Sequence, residues 1–228
     1  MKKIFVATGF VLVLLLSVFS AFGQTQSRED LIKEIEAKRK ELSVLEERLL
    51  SANEYRLTYA EFLRQPDTGL IRLLPREKFD GDAPRGNVKR LTIRGGGAYY
   101  SFARLTHEYG FGSDIELAQG SLLTGFAGAD YGILVDLGNV PLENLTVESP
   151  AVQPLAKHQV FTSQHQTTND LARRLPVKAD HTYLLRSINY NNSDVLVAFK
   201  VVRIDSDESA VILWKLMQNY PTPKLSRR

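Results

Sequence analysis

Residues 181–217 constrain the fold more tightly than any other part of this 228-residue chain. They read HTYLLRSI, NYNNSD, VLVAFKVVRI, DSDES and AVILWKLM in unbroken order. Three apolar runs rich in β-branched and aromatic residues alternate with two short polar segments, the pattern of an antiparallel meander with two turns. From about residue 87 onward, further short apolar runs are separated by Gly, Asn, Asp and Pro. Strand candidates there are 88–93, 98–105, 114–118, 132–137 and 160–162, and NDLARRL at 169–175 suits a short helical turn. Many short strands with frequent turn signals point to an antiparallel sandwich-like or open-barrel domain over 87–228. Trp214, inside AVILWKLM, is expected as a core anchor.

Residues 27–64 have the opposite character, with no Gly or Pro among them. Ser27 followed by Glu29 and Asp30 is a hydroxyl cap with acids in the first turn. A heptad frame places Ile35, Leu42, Leu49, Arg56 and Leu63 at a, and Leu31, Lys38, Leu45, Ala52 and Tyr59 at d. Eight of those ten are apolar, with Lys38 and Arg56 as the exceptions. Segment 24–66 is thus expected as a long amphipathic helix. It serves either as a coiled-coil seam for self-association or as a stripe lying on the protein's own core. Pro66-Asp67-Thr68-Gly69 ends it. Residues 67–86 read as a connector that packs Leu70, Ile71, Leu73 and Leu74 onto the following domain. The expected fold class is therefore α+β, mainly β.

The first residues, MKKIFVATGFVLVLLLSVFSAFG, combine Lys2 and Lys3, an apolar core, and the small residues Ala21 and Gly23 before Gln24. That is the layout of a secretory signal peptide over 1–23, the alternative being an uncleaved anchor to the inner membrane. Either way the remainder is expected outside the cytoplasm, secreted or periplasmic. Removing 1–23 takes two of 29 basic residues and none of 26 acids, leaving 27 against 26, or +1. A balance so close to neutral gives no case for a nucleic-acid partner, despite basic clusters at Arg85, Lys89, Arg90, Arg94 and at Lys224, Arg227, Arg228. The absence of cysteine excludes disulfides, thiolate nucleophiles and Cys-ligated zinc. The fold must therefore rest on its core.

Two stretches carry candidate chemistry. RGGGAYYSF, 94–102, lacks the Lys-Ser/Thr pair and the following helix of a phosphate loop. Its glycines instead suit a bulge or a close approach of two backbones, and Tyr99 and Tyr100 are binding candidates on opposite faces of a strand. THEYGFGSDIE, 106–116, gathers His107, Glu108, Asp114 and Glu116. Those types suit a divalent cation or the acid/base pair of a glycoside hydrolase. No H-E-x-x-H occurs, and His158, His165 and His181 are scattered, so no metal or cofactor is expected. DSDES lacks the glycine and terminal Glu of a calcium loop and reads as a hairpin turn. Sequons occur at Asn144-Leu145-Thr146 and Asn191-Asn192-Ser193. The expected function is non-catalytic binding or an envelope-structural role with an envelope protein partner. The alternatives are a carboxylate-based secreted hydrolase and a coiled-coil scaffold built on 27–64.

Overall fold

The computed structural model describes residues 27–79, 97–107, 112–126, 130–157 and 172–224. The signal-like segment 1–23, the strand candidates 88–93 and 160–162, Glu108, His158, His165 and the cluster Arg85, Lys89, Arg90 and Arg94 lie outside them. The chain divides into two units, Met1–Leu45 and Glu46–Arg228.

The first unit contributes most of α1, Arg28–Leu50. Ser27 caps it as its sequence requires. The hydroxyl accepts from the Asp30 N–H at 3.1 Å and donates to the Asp30 carboxylate at 2.7 Å. The apolar heptad positions of α1 stand in solvent: Leu31, Ile35, Leu42, Leu45 and Leu49 are all about half exposed.

The expected helix over 24–66 is corrected here. It stops at Leu50, and two short 3₁₀ turns follow, Asn53–Tyr55 and Phe62–Arg64. Local chemistry contributes, because Ser51 Oγ accepts from the Asn53 N–H at 3.3 Å and Asn53 Oδ1 accepts from Arg56 Nε at 2.9 Å. Such side-chain bonds offer the backbone an alternative to continuing a helix. Tertiary burial does the rest. Ala52 is buried, and Phe62 joins an apolar cluster with Leu142 and Leu213. Arg72 is paired to both Glu54 and Asp205, which holds the 53–55 turn to the body.

The second unit is built on two antiparallel sheets. The five-stranded sheet runs β1 (Thr68–Leu73), β9 (Ala210–Asn219), β8 (Ser193–Ile204), β7 (Thr182–Asn189) and β5 (Asp130–Asp136), in that spatial order. The four-stranded sheet runs β2 (Tyr99–Tyr100), β3 (Ile115–Ala118), β4 (Ser121–Leu123) and β6 (Arg174–Pro176). Neither closes into a barrel, and the described fold is mainly β, compatible with the sandwich-like expectation. The meander of 181–217 stands as β7, β8 and β9. The connector is corrected in part: Thr68–Leu73 is a full edge strand, paired with β9 from Thr68↔Lys215 to Leu73↔Ala210. The strand expected over 98–105 shortens to two residues, and the helical turn expected at 169–175 gives way at its end to β6.

Side chains alternate along each strand, so β7 sends Tyr183 and Leu185 to one face and Leu184 to the other. The first face shares a core with Tyr100, Ile115, Leu117 and Leu122 of the smaller sheet and with Phe102, which follows β2. The second is covered by Phe62, Leu142, Leu145, Val152 and Leu155. Leu155 lies on the one-turn helix α3, Gln153–Ala156. All eight residues of β7 are therefore buried. This explains why VLVAFKVV and AVILW read as continuous apolar runs: a strand covered on both faces has no polar side to show.

Two glycines admit side chains at close range. At Gly69 a Cβ would meet the Trp214 ring at 2.5 Å, so the indole lies flat over the backbone of β1. Gly97, at φ +82°, closes the triple-glycine run against Leu50 and Leu74, and its carbonyl accepts from the Leu74 N–H at 3.0 Å. What Gly97 admits is the side chains of Leu50 and Leu74 rather than a second backbone; Gly95 and Gly96 lie outside the described residues.

Candidate functional site

After β2, the chain reverses through a tight turn. Ser101 and Thr106 bridge, and the Leu105 N–H reaches back to the Ser101 carbonyl at 2.8 Å. This geometry requires φ +55° at Leu105, a left-handed conformation that glycine or asparagine usually supplies. Leu105 is also 64% exposed. The turn delivers His107 beside Tyr100, ring to ring at 4.9 Å in an edge-on contact.

Asp114 precedes β3 and is fully buried. Its carboxylate accepts from the Phe102 N–H at 2.7 Å, Ser187 Oγ at 2.6 Å and Asn189 Nδ2 at 2.8 Å. Ser187 and Asn189 belong to β7, so one side chain ties the smaller sheet to the larger. Burial pushes the Asp114 carboxyl up to about 6, against these donors. Glu116 is equally hidden, its carboxylate 2.6 Å from Arg76 Nη1. Arg76 opens the short helix α2, Arg76–Phe79. Asp114 and Glu116 thus join separate internal networks of the described residues.

His107 is half-buried. Its Nδ1 lies 2.9 Å from the Tyr99 carbonyl, and the Gly97 carbonyl is a second backbone partner. Burial lowers its pKa despite both carbonyls. No carboxylate bonds to it among the described residues, which removes the usual means of activating an imidazole as a base. Tyr99 and Tyr100 are both buried, so neither offers an open aromatic platform, and Tyr100 contributes only to the wall of a cleft. Tyr99 packs on Phe126, and Tyr100 packs between Phe102 and Trp214. Burial raises the Tyr100 phenol, with the Asp114 charge adding to the effect.

The sequence gives no signal for a second ionisable pair, His181 with Asp136, at 2.8 Å. Lys178 Nζ and the Gly138 N–H also bond to Asp136. Burial pushes Asp136 up, but its bonds from His181, Gly138 and Lys178 hold it below the usual carboxylate range. The pair resembles part of a nucleophilic triad. Among the described residues, however, no hydroxyl is bonded to His181. No cluster of three metal-ligating side chains occurs among them either.

What the 101–106 turn does build is a cleft of about 390 Å³. One wall is the end of α1 and the turn after it, Leu50 to Asn53 with Arg56. The opposite wall is Leu70 and Ile71 of β1, with Tyr100, Leu105 and His107. The lining is mixed, with Leu50, Ala52, Leu70, Ile71 and Leu105 set beside Ser51, Asn53, Arg56, Tyr100 and His107, and among the described residues no carboxylate belongs to it. Of the sequence candidates, Tyr100 and His107 reach this cleft; Tyr99, Asp114 and Glu116 are absent from its lining. Arg56, Leu105 and Leu70 carry no motif and escape sequence reading.

No protein-family model, curated protein or solved structure matches this chain.

Proposed function

We propose that this chain is a non-catalytic binding protein acting outside the cytoplasm, with recognition carried by its β unit. The observation that supports binding over catalysis is the use made of the ionisable groups. Asp114 and Glu116 are engaged within the scaffold, and His107, although it lines the cleft, has its Nδ1 on a backbone carbonyl and no carboxylate bonded to it among the described residues. The extracytoplasmic placement rests on the signal-like pattern of residues 1–23. Among the described residues, no helix is long and apolar enough to cross a membrane.

A crosslinked pull-down from native envelope, run with full-length chain and with a bait lacking 27–45, tests the reading together with turnover assays on chromogenic glycosides and esters. Retention of one partner by both baits, with no turnover, is the expected result. Turnover that Glu116→Gln abolishes without changing the melting temperature would replace binding with hydrolysis.

One observation favours a second reading, self-association through α1: its a and d residues Leu31, Ile35, Leu42, Leu45 and Leu49 are exposed together. On that reading, sedimentation velocity should show an oligomer that Ile35→Glu with Leu42→Glu converts to monomer. A single-chain species at every concentration would eliminate it.

A further inference from the structure

We propose that the cleft between β1 and the 101–106 turn binds a medium-chain fatty acid, held by its carboxylate on Arg56 and by its chain on Leu70, Ile71 and Leu105. The inference rests on the binding reading above and names the ligand class for it. Size comes first. At about 390 Å³ the cleft lies near the lower end of the ~300–1,000 Å³ of small-molecule sites, room for a chain of about eight to ten carbons. The chemistry of the walls comes second. Leu50, Leu70, Ile71, Leu105 and the Tyr100 ring offer aliphatic and aromatic surface, while Ser51, Asn53 and Arg56 place polar groups together at one side in sequence and in space.

Charge selects the head group. Arg56 bonds through Nε to Asn53 Oδ1, which orients the guanidinium. No carboxylate pairs with it among the described residues, and none lines the cleft. An oriented guanidinium with its terminal nitrogens available matches a carboxylate in geometry as well as sign. His107 adds no competing donor, because its ring faces backbone carbonyls.

Leu105 supplies an independent argument. A bulky side chain at φ +55° is strained, and this one is also largely exposed. Folding alone favours glycine at this turn position. A leucine there makes sense if the side chain packs against something the free protein lacks. The substitution Leu105→Gly should therefore move stability and binding in opposite directions.

Isothermal titration of the full chain with octanoate, 1-octanol and acetate separates the parts. Octanoate is expected to bind at least about ten-fold tighter than octanol, the factor expected of a charged hydrogen-bonded pair. Acetate should give no heat, since each buried methylene contributes about four-fold in affinity. Arg56→Gln should erase the preference for octanoate while leaving octanol binding in place. Leu105→Gly should weaken both ligands about ten-fold or more and melt no lower than the wild type. Equal binding of octanol and octanoate, or octanoate binding indifferent to Arg56→Gln, overturns the fatty-acid assignment and leaves the binding reading standing. No binding of either ligand overturns the assignment too. The binding reading itself then falls only if the envelope pull-down is also empty.

Discussion

Asp114→Ala is expected to lower the unfolding free energy by about 3–5 kcal/mol, measured by urea denaturation. The substitution leaves the Phe102 N–H, Ser187 Oγ and Asn189 Nδ2 without their shared acceptor, in a place water does not reach. Each buried donor left unpaired costs about 1–3 kcal/mol, and because Asn189 Nδ2 keeps Ser187 Oγ and Ser193 Oγ within 3.3 Å, the sum stays below the simple total. Against a typical domain stability of about 5–15 kcal/mol, the loss is large. It falls on the junction of the two sheets, because Phe102 follows β2 while Ser187 and Asn189 belong to β7.

The same residue carries a pH dependence whose sign is determined. A folded-state pKa of about 6, above the ordinary 3.8, means that the folded chain holds the Asp114 proton more tightly than the unfolded chain. Its contribution is fully present below pH 3.8 and is lost as pH rises through 6. Asp130, also pushed up to about 6 by burial, acts in the same direction. The melting deficit of Asp114→Asn relative to wild type should accordingly be largest near pH 4 and shrink towards pH 7. A deficit that grows with pH would mean that the surrounding donors outweigh burial and keep Asp114 ionised.

Arg186→Ala should destabilise the fold by a comparable amount, about 3–5 kcal/mol. Arg186 is 2% exposed and grips Asp194 with two bonds, Nε to Oδ1 at 2.7 Å and Nη2 to Oδ2 at 2.9 Å. Its Nη1 donates to the Leu155 carbonyl at 3.2 Å, and the Tyr220 ring stacks 3.3 Å from the guanidinium carbon. Tyr220 in turn bonds to the Ala156 carbonyl and, through its N–H, to the Asp194 carbonyl. One cation thereby joins β7, β8, α3 and the segment after β9. Truncation leaves the Asp194 charge buried without its partner, which is the expensive half of a broken internal ion pair. Replacing both residues with leucine should recover at least half of the loss, because two apolar side chains leave no charge to solvate. If the double variant is no more stable than Arg186→Ala, the loss arises from packing against Tyr220 rather than from the stranded carboxylate.

How far these features are legible before folding depends on the distance over which they are decided. The β7–β8–β9 meander is legible because both of its turns are local and polar. β1 reads as a connector because LIRL is completed by 210–213, far along the chain, and no local turn announces the pairing. β4 and β6 are three residues each, too short for any periodicity to register. The end of α1 is hidden for another reason. Residues 51–64 contain no helix breaker, and the bend follows from burying Ala52 and Phe62 while Arg72 holds Glu54.

The site follows the same rule. His107, Asp114 and Glu116 are conspicuous as an inventory, yet composition is the same whether carboxylates face a substrate or brace a scaffold. Burial and partner geometry separate the two cases. Arg56 and Leu105 are ordinary residues in sequence, and only the φ of the turn and, among the described residues, the lack of a carboxylate beside the guanidinium distinguish them.

By itself, then, the sequence determined a cysteine-free chain, a capped N-terminal helix and an antiparallel β core, because capping, turn chemistry and apolar patterning act over a few residues. Burial of Ala52 and Phe62 joined the local bonds of Ser51 and Asn53 in ending that helix. The tertiary structure alone decided which strand closes the larger sheet and that the buried acids serve as internal ties while an arginine and a strained leucine line the cleft. Those outcomes depend on desolvation and on contacts between residues distant in the chain, and neither is a property of any local stretch.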